Sequence, residues 1–243
     1  VDKLGMRASN TAEIVFEKRG KSRPFTVSVV APPRIRANIS RIVPSAYTGL
    51  PAQKNPDPDP DILPGSRVDF SVETNREFAE IRILRSNHQS LREVRNRSRF
   101  EHSIRVTDPA RYLFTGSDTY GFRADTNQIE IRLGRDRVPE LSLLQPDTTA
   151  PVEGSGLLPV RLRFRDDFGL SRARISYGRL VPDEISDSIP VPADQSEGEL
   201  YGQLDRDRLD LMTGDTFSFK VTVWDNDSVR GPKSVTIGPF TLS

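Results

Sequence analysis

The chain has 243 residues, 35% hydrophobic and 28% charged, with 35 basic against 34 acidic side chains and no cysteine. A net charge of +1 creates no global field for nucleic acid or an anionic membrane, and the missing cysteines exclude a disulfide framework or thiolate metal site. No run approaches the ~20 apolar residues of a membrane-spanning helix, while 19 prolines and 16 glycines separate short apolar runs as turns separate strands.

Residues 12–17 and 24–30 alternate apolar with polar side chains around a polar turn at 18–23, which predicts a hairpin with one buried face. A lone hairpin is marginal, so Val15, Phe25, Val27 and Val29 are expected to pack on the next module or on residues outside the chain. The Pro-bearing stretch 31–35 suits an edge or first strand, because proline cannot donate to a ladder. Residues 53–62 are rich in Pro and Asp, and the alternation of acids with prolines at 55–61 reads as a stiff solvated connector. Residues 66–73 and 78–84 are predicted as a central pair of strands, with Val68, Phe70 and Val72 facing Ile81 and Ile83.

The hairpin pattern returns at 111–115 with 128–133, and again at 217–224 with 234–237. A second Pro-bearing stretch follows at 137–141, then a second central pair at 160–164 and 173–177, with Arg161, Arg163 and Arg165 pointing outward. Residues 181–198 read as an extended insertion. Recurrence at ~100-residue intervals is the spacing of serial sandwiches. The expected fold class is all-β, as tandem immunoglobulin-like β-sandwich modules. A closing hairpin of a preceding or partial module is expected at 1–32, with sandwiches at 33–136 and 137–243. Val1 is not an initiator Met, and the chain is expected to be a piece of a longer protein.

Two constellations carry candidate chemistry. Asp166 and Asp167 follow one strand, and Asp225, Asn226 and Asp227 follow another whose loop emerges at the same end of a sandwich. Carboxylates of Asp166, Asp167, Asp225 and Asp227 are therefore candidate calcium ligands, set against turn capping by the same side chains. No other cofactor is expected. Arg95, Arg97 and Arg99 stand in an Arg-rich stretch that is a candidate polyanion patch, diluted by Glu93 and Glu101. The only histidines, His88 and His102, have no ligand or nucleophile at motif spacing, so zinc and Ser-His-Asp chemistry lack support. Trp224 is expected as a core or rim plug, and most of the tyrosines as core-facing.

The segments Pro44-Ser-Ala-Tyr-Thr-Gly-Leu-Pro51, Leu63-Pro-Gly-Ser-Arg-Val68, Asp136-Arg-Val-Pro139, Leu144-Gln-Pro146, Arg165-Asp-Asp-Phe-Gly-Leu170, Trp224-Asp-Asn-Asp227 and Gly231-Pro-Lys233 together resemble a known repeat. It is the extracytoplasmic immunoglobulin-like repeat of large membrane-anchored, domain-of-unknown-function proteins of proteobacteria, planctomycetes and Bacteroidetes. The resemblance implies periplasmic or cell-envelope placement, with a membrane anchor in the parent protein outside this chain. It supplies no catalytic residues.

The expected role is a non-enzymatic scaffold that presents modules to a protein partner in the envelope, with no nucleic acid bound. The alternative is a set of carbohydrate- or polyanion-binding modules accessory to an envelope enzyme. Oligomeric state is not legible in the sequence.

Overall fold

The computed structural model describes residues 11–14, 25–28, 31–56, 60–86, 89–151, 156–179, 184–193, 195–212 and 214–243, with side chains from residue 31 onward. Strands β1 (Thr11–Ile14) and β2 (Phe25–Ser28) pair antiparallel, with Thr11 opposite Ser28. The predicted turn at 18–23 and the packing of Val15, Phe25, Val27 and Val29 lie outside what is described.

Eight strands form the next sheet: β3 (Ile35–Val43), β4 (Gln53–Lys54), β5 (Asp61–Ile62), β6 (Arg67–Arg85), β7 (Ser90–Val94), β8 (Arg97–Arg105), β9 (Ala110–Asp118) and β10 (Asn127–Leu133). Their order is β4-β3-β6-β9-β10-β5, with β7 and β8 pairing on β6. One expectation is corrected here. The predicted central pair at 66–73 and 78–84 is one continuous 19-residue strand, β6, so Val68, Phe70 and Val72 do not face Ile81 and Ile83 across a turn. Residues 74–77 are Thr-Asn-Arg-Glu, with neither Gly nor Pro to reverse the chain. All five apolar side chains are buried nonetheless.

The connector expected at 55–61 runs into β5 at its end, where Asp61 pairs parallel opposite Arg132 of β10 and the following Ile62 is buried.

The last seven strands make two sheets. A three-stranded sheet has the order β11-β12-β15, from Glu140–Gln145, Leu157–Arg165 and Glu197–Asp205. A four-stranded sheet has the order β14-β13-β16-β17, from Ile185–Ile189, Leu170–Gly178, Phe217–Asp225 and Ser234–Leu242. Period-two alternation produces this layering. In β16, Phe217, Phe219, Val221, Val223 and Asp225 point inward while Ser218, Lys220, Thr222 and Trp224 do not. Val160, Leu162 and Phe164 of one sheet meet Ile175, Tyr177, Phe219 and Val221 of the other in one apolar core. Two facing antiparallel sheets closed around such a core constitute an immunoglobulin-like β-sandwich. The predicted insertion at 181–198 is corrected in part, because Ile185–Ile189 forms the edge strand β14 against β13.

By compactness the chain divides into two units, one of residues 1–38, 70–102 and 110–130, the other of 39–69, 103–109 and 131–243. The second unit holds the whole seven-stranded sandwich together with a 3-10 turn at Ala46–Thr48 and the segment 61–69.

Candidate functional site: an aspartate cluster centred on Lys233

Within the second unit, the β12–β13 and β16–β17 loops emerge at the same end of the sandwich. Each is held by aspartates that accept backbone N–H groups, the usual turn-forming use of a short carboxylate. Asp166 Oδ2 accepts from the N–H groups of Phe168 at 2.9 Å and Gly169 at 2.8 Å. Asp225 Oδ1 accepts from Lys233 N–H at 2.8 Å and Asp227 N–H at 3.2 Å. Asp227 Oδ1 accepts from Val229 N–H at 2.8 Å and Arg230 N–H at 3.0 Å.

The carboxylate oxygens left over face a single cation. Lys233 Nζ lies 2.5 Å from Asp225 Oδ2, 3.1 Å from Asp136 Oδ2 and 3.5 Å from Asp227 Oδ2. Side-chain exposure is 1% for Asp225, 2% for Asp227 and 7% for Asp136, so these charges interact with little screening by water. The Tyr47 hydroxyl donates to Asp136 Oδ2 at 3.1 Å. Its ring meets Phe168 edge-on at 5.8 Å, and Asn226 Nδ2 donates to the carbonyls of Tyr47 at 2.9 Å and Phe168 at 2.7 Å. Below them, Gly65 sits at φ +80°, where an added Cβ would lie 2.4 Å from Ser45 Oγ and 2.6 Å from Val229 Cγ2. The guanidinium of Arg230 reaches the Thr107 carbonyl.

Burial pushes the Asp136 carboxyl up, against the pull of Lys233 and Tyr47. Asp166 is likewise raised by burial, which outweighs its two backbone donors. Burial also acts on Asp227, but the N–H groups of Arg230 and Val229 and the Lys233 charge hold it below the usual carboxylate range. Lys233 is raised because Asp225 and Asp136 overcome its desolvation, so it remains an ammonium. Tyr47 is raised by burial and by the neighbouring carboxylates, and stays a neutral donor. The cluster thus ties the 45–48 turn and segment 63–66 to the terminal sandwich.

Of the four candidate calcium ligands, Asp225 and Asp227 meet on Lys233, and Asp166 is electrostatically coupled to Asp225 and Asp136. Asp167 is exposed and accepts Arg137 N–H at 3.0 Å instead. Among the described residues, no group of three or more His, Cys, Asp or Glu side chains is placed to hold a metal ion. Sequence reasoning named Asn226 with the acidic loops but missed Lys233, Asp136 and Tyr47 as members of the cluster. A signal was present: Tyr47, Asp136, Asp166, Phe168, Asp225 and Lys233 all belong to the short segments that carry the family resemblance.

The polyanion candidates fare differently. Arg95 is paired with Glu93 at 2.7 Å and Arg99 with Glu73 at 3.2 Å, while Arg97 is exposed. Arg161 forms a bidentate pair with Glu199. Over the outer face of the three-stranded sheet, a depression of about 700 Å³ is lined by Glu140, Arg163, Arg165, Glu197 and Glu199, charges of both signs. His102 is half-buried and held below its ordinary range by burial and Arg92; His88 lies outside the described residues.

Trp224 is not a core plug. Strand parity turns it to the outer face of the four-stranded sheet, where Arg172 sits 4.2 Å and Arg174 5.7 Å from its ring centre. Tyr112 and Tyr177 are buried as expected, but Tyr120 and Tyr201 are 70% and 65% exposed. Tyr120 occupies a turn, and Tyr201 takes the outward position of β15 beside Glu199.

Among solved structures, the chain is similar to the fibronectin(III)-like modules of Clostridium thermocellum CbhA, at 14% identity over 75% of this chain and 90% of that one, with a TM-score of 0.28. It is also similar to the human OSCAR ligand-binding domain, at 13% identity over 85% and 98% of the two chains, with a TM-score of 0.29. A mutant of Salmonella alpha-2-macroglobulin is similar at 8% identity and a TM-score of 0.29, over 92% of this chain but 16% of that one. No family model and no curated protein matches the chain.

Proposed function

We propose that the chain is a non-enzymatic scaffold segment of a bacterial cell-envelope protein, whose immunoglobulin-like modules hold fixed surfaces for contact with a protein partner. One observation carries this reading. The loop end of the terminal sandwich, where such folds commonly place binding loops, is closed by the Lys233 cluster onto residues 45–48 and 63–66. Those loops serve internal cohesion. That leaves the outer sheet faces and edges for contact, and strand addition at an edge is an available mode.

The reading requires no cofactor and no catalytic residue, since the cation in the cluster is a side chain. Periplasmic or envelope placement and a membrane anchor elsewhere in the parent rest on the resemblance of the segments that build the cluster. The modules are taken as 33–136 and 137–243, preceded by the hairpin at 1–32. The carbohydrate- and polyanion-binding alternative is weaker: Arg95 and Arg99 already have carboxylate partners, and Tyr120 and Tyr201 belong to different compact units.

Crosslinking with mass spectrometry on the full-length protein in its envelope tests the scaffold. A reproducible neighbour crosslinked to the sheet faces of 137–243 is expected. Absence of any stable neighbour removes the proposal.

A further inference from the structure

The Lys233 ammonium sits among three carboxylates contributed by two chain segments: Asp225 and Asp227 from the β16–β17 loop, and Asp136 from the stretch before β11. Three carboxylates around one positive charge leave an excess of negative charge in a buried place. Further oxygens lie in the same cluster. Asp136 Oδ1, Asp166 Oδ1 and Asn226 Oδ1 are buried and have no hydrogen-bond partner among the described residues. The pattern is that of a cation cage with its cation already in place, built from the oxygen donors that hard divalent ions prefer.

We propose that the Lys233 ammonium is a tethered tenant of this cage, and that Asp136, Asp225 and Asp227 bind calcium when the lysine is removed. The lysine thereby makes the cohesion of this loop end independent of dissolved metal. Around the amine, Asp225 stands at 2.5 Å, within the ~2.3–2.6 Å of calcium–oxygen bonds, while Asp136 at 3.1 Å and Asp227 at 3.5 Å must draw inward to reach that distance. Calcium accepts six to eight oxygens in irregular geometry, whereas magnesium demands a near-octahedral shell at ~2.0–2.1 Å. Calcium is therefore the ion the cage suits. The inference rests on the cohesive role of the cluster and not on the envelope scaffold reading.

The test is thermal unfolding of the whole chain and of K233M, each in about 10 mM calcium, the same magnesium, or chelator, a concentration above the Kd range of extracellular calcium modules. The wild-type melting temperature is expected to be the same in all three. K233M should melt roughly 10 °C lower in chelator, because its carboxylates lose the ammonium that all three share. Calcium should restore at least about half of that loss, magnesium should not, and adding Asp225→Asn to K233M should abolish the recovery.

A K233M protein that melts like wild type in chelator overturns the cohesive role itself. A destabilised K233M that calcium does not restore overturns the cage alone. Calcium stabilisation of the wild type overturns the tenancy of the lysine. If K233M does not fold in chelator, K233Q preserves most of the stem, and folding of either variant only with calcium supports the cage. Failure of both to fold with calcium overturns it.

Discussion

Two hairpin loops of this chain use a buried aspartate at equivalent places, with opposite consequences. In the first unit, β9 ends at Asp118, whose Oδ1 accepts from Tyr120 and Phe122 N–H and whose Oδ2 pairs with Arg76 at 3.1 Å. One carboxylate meets one guanidinium, the charge is balanced locally, and the tip is free to display Tyr120 and Phe122, 70% and 57% exposed. In the second unit, β16 ends at Asp225, and the loop adds Asp227 and Lys233. Here carboxylates outnumber the cation, and the loop is drawn against Asp136 and Tyr47. The same capping chemistry presents a loop in one case and seals it in the other, and the count of charges around it makes the difference.

The comparison can be broken by substitution. Asp225→Ala strips Lys233 of its shortest partner and leaves two loop N–H groups without their acceptor. It is expected to cost about 3–5 kcal/mol in denaturant unfolding. Asp118→Ala is expected to cost less, about 2–3 kcal/mol, since the Arg76 guanidinium it leaves keeps its hydrogen bond to the Ala31 carbonyl. Equal costs at the two sites dissolve the distinction.

A subtler pair lies in two glycines. Gly65 and Gly121 both have positive φ, +80° and +87°, but only Gly65 has neighbours within 4 Å of an added Cβ. Gly121→Ala should cost about 1 kcal/mol, the backbone strain by itself. Gly65→Ala should cost about 2–3 kcal/mol, because Ser45 and Val229 must also move. Calorimetric melting of the two variants side by side decides it.

The smallest effect is in pH. Asp166 is raised in the folded chain, so its contribution to stability is full below the ordinary carboxylate pKa and fades as pH rises through the folded value. Asp227 is lowered, so its contribution is present above the ordinary value and is lost as pH falls through the folded one. Asp166→Asn should flatten stability above the ordinary carboxylate range, and Asp227→Asn should flatten it below. Unfolding free energies across pH 3–7 check both signs.

Strand identity was legible because period-two alternation is a local property of the backbone. The β12, β13, β16 and β17 segments could be read directly from rows such as Phe217, Phe219, Val221 and Val223. The bend expected between residues 73 and 78 was not legible. An apolar row interrupted by Thr-Asn-Arg-Glu is equally compatible with a turn and with a strand running through, and only pairing on both sides of β6 selects the second. For Trp224 the sequence left core and rim both open, and parity, fixed by Asp225 pointing inward, put the ring on the outer face under two arginines.

The candidate site was half legible. That the two acidic loops share one end of the sandwich follows from strand order, and capping follows from Asp in tight turns. Lys233, Asp136 and Tyr47 lie 97 and 89 residues from one another in sequence, and no spacing rule links them. The amino-acid sequence by itself determined that this chain is built of strands, where most of them lie and which loops carry carboxylates, because alternation and turn chemistry act over a few residues. Only the tertiary structure decided that the cation among those carboxylates is a lysine of the chain itself, because a buried charge selects its partner by distance in space.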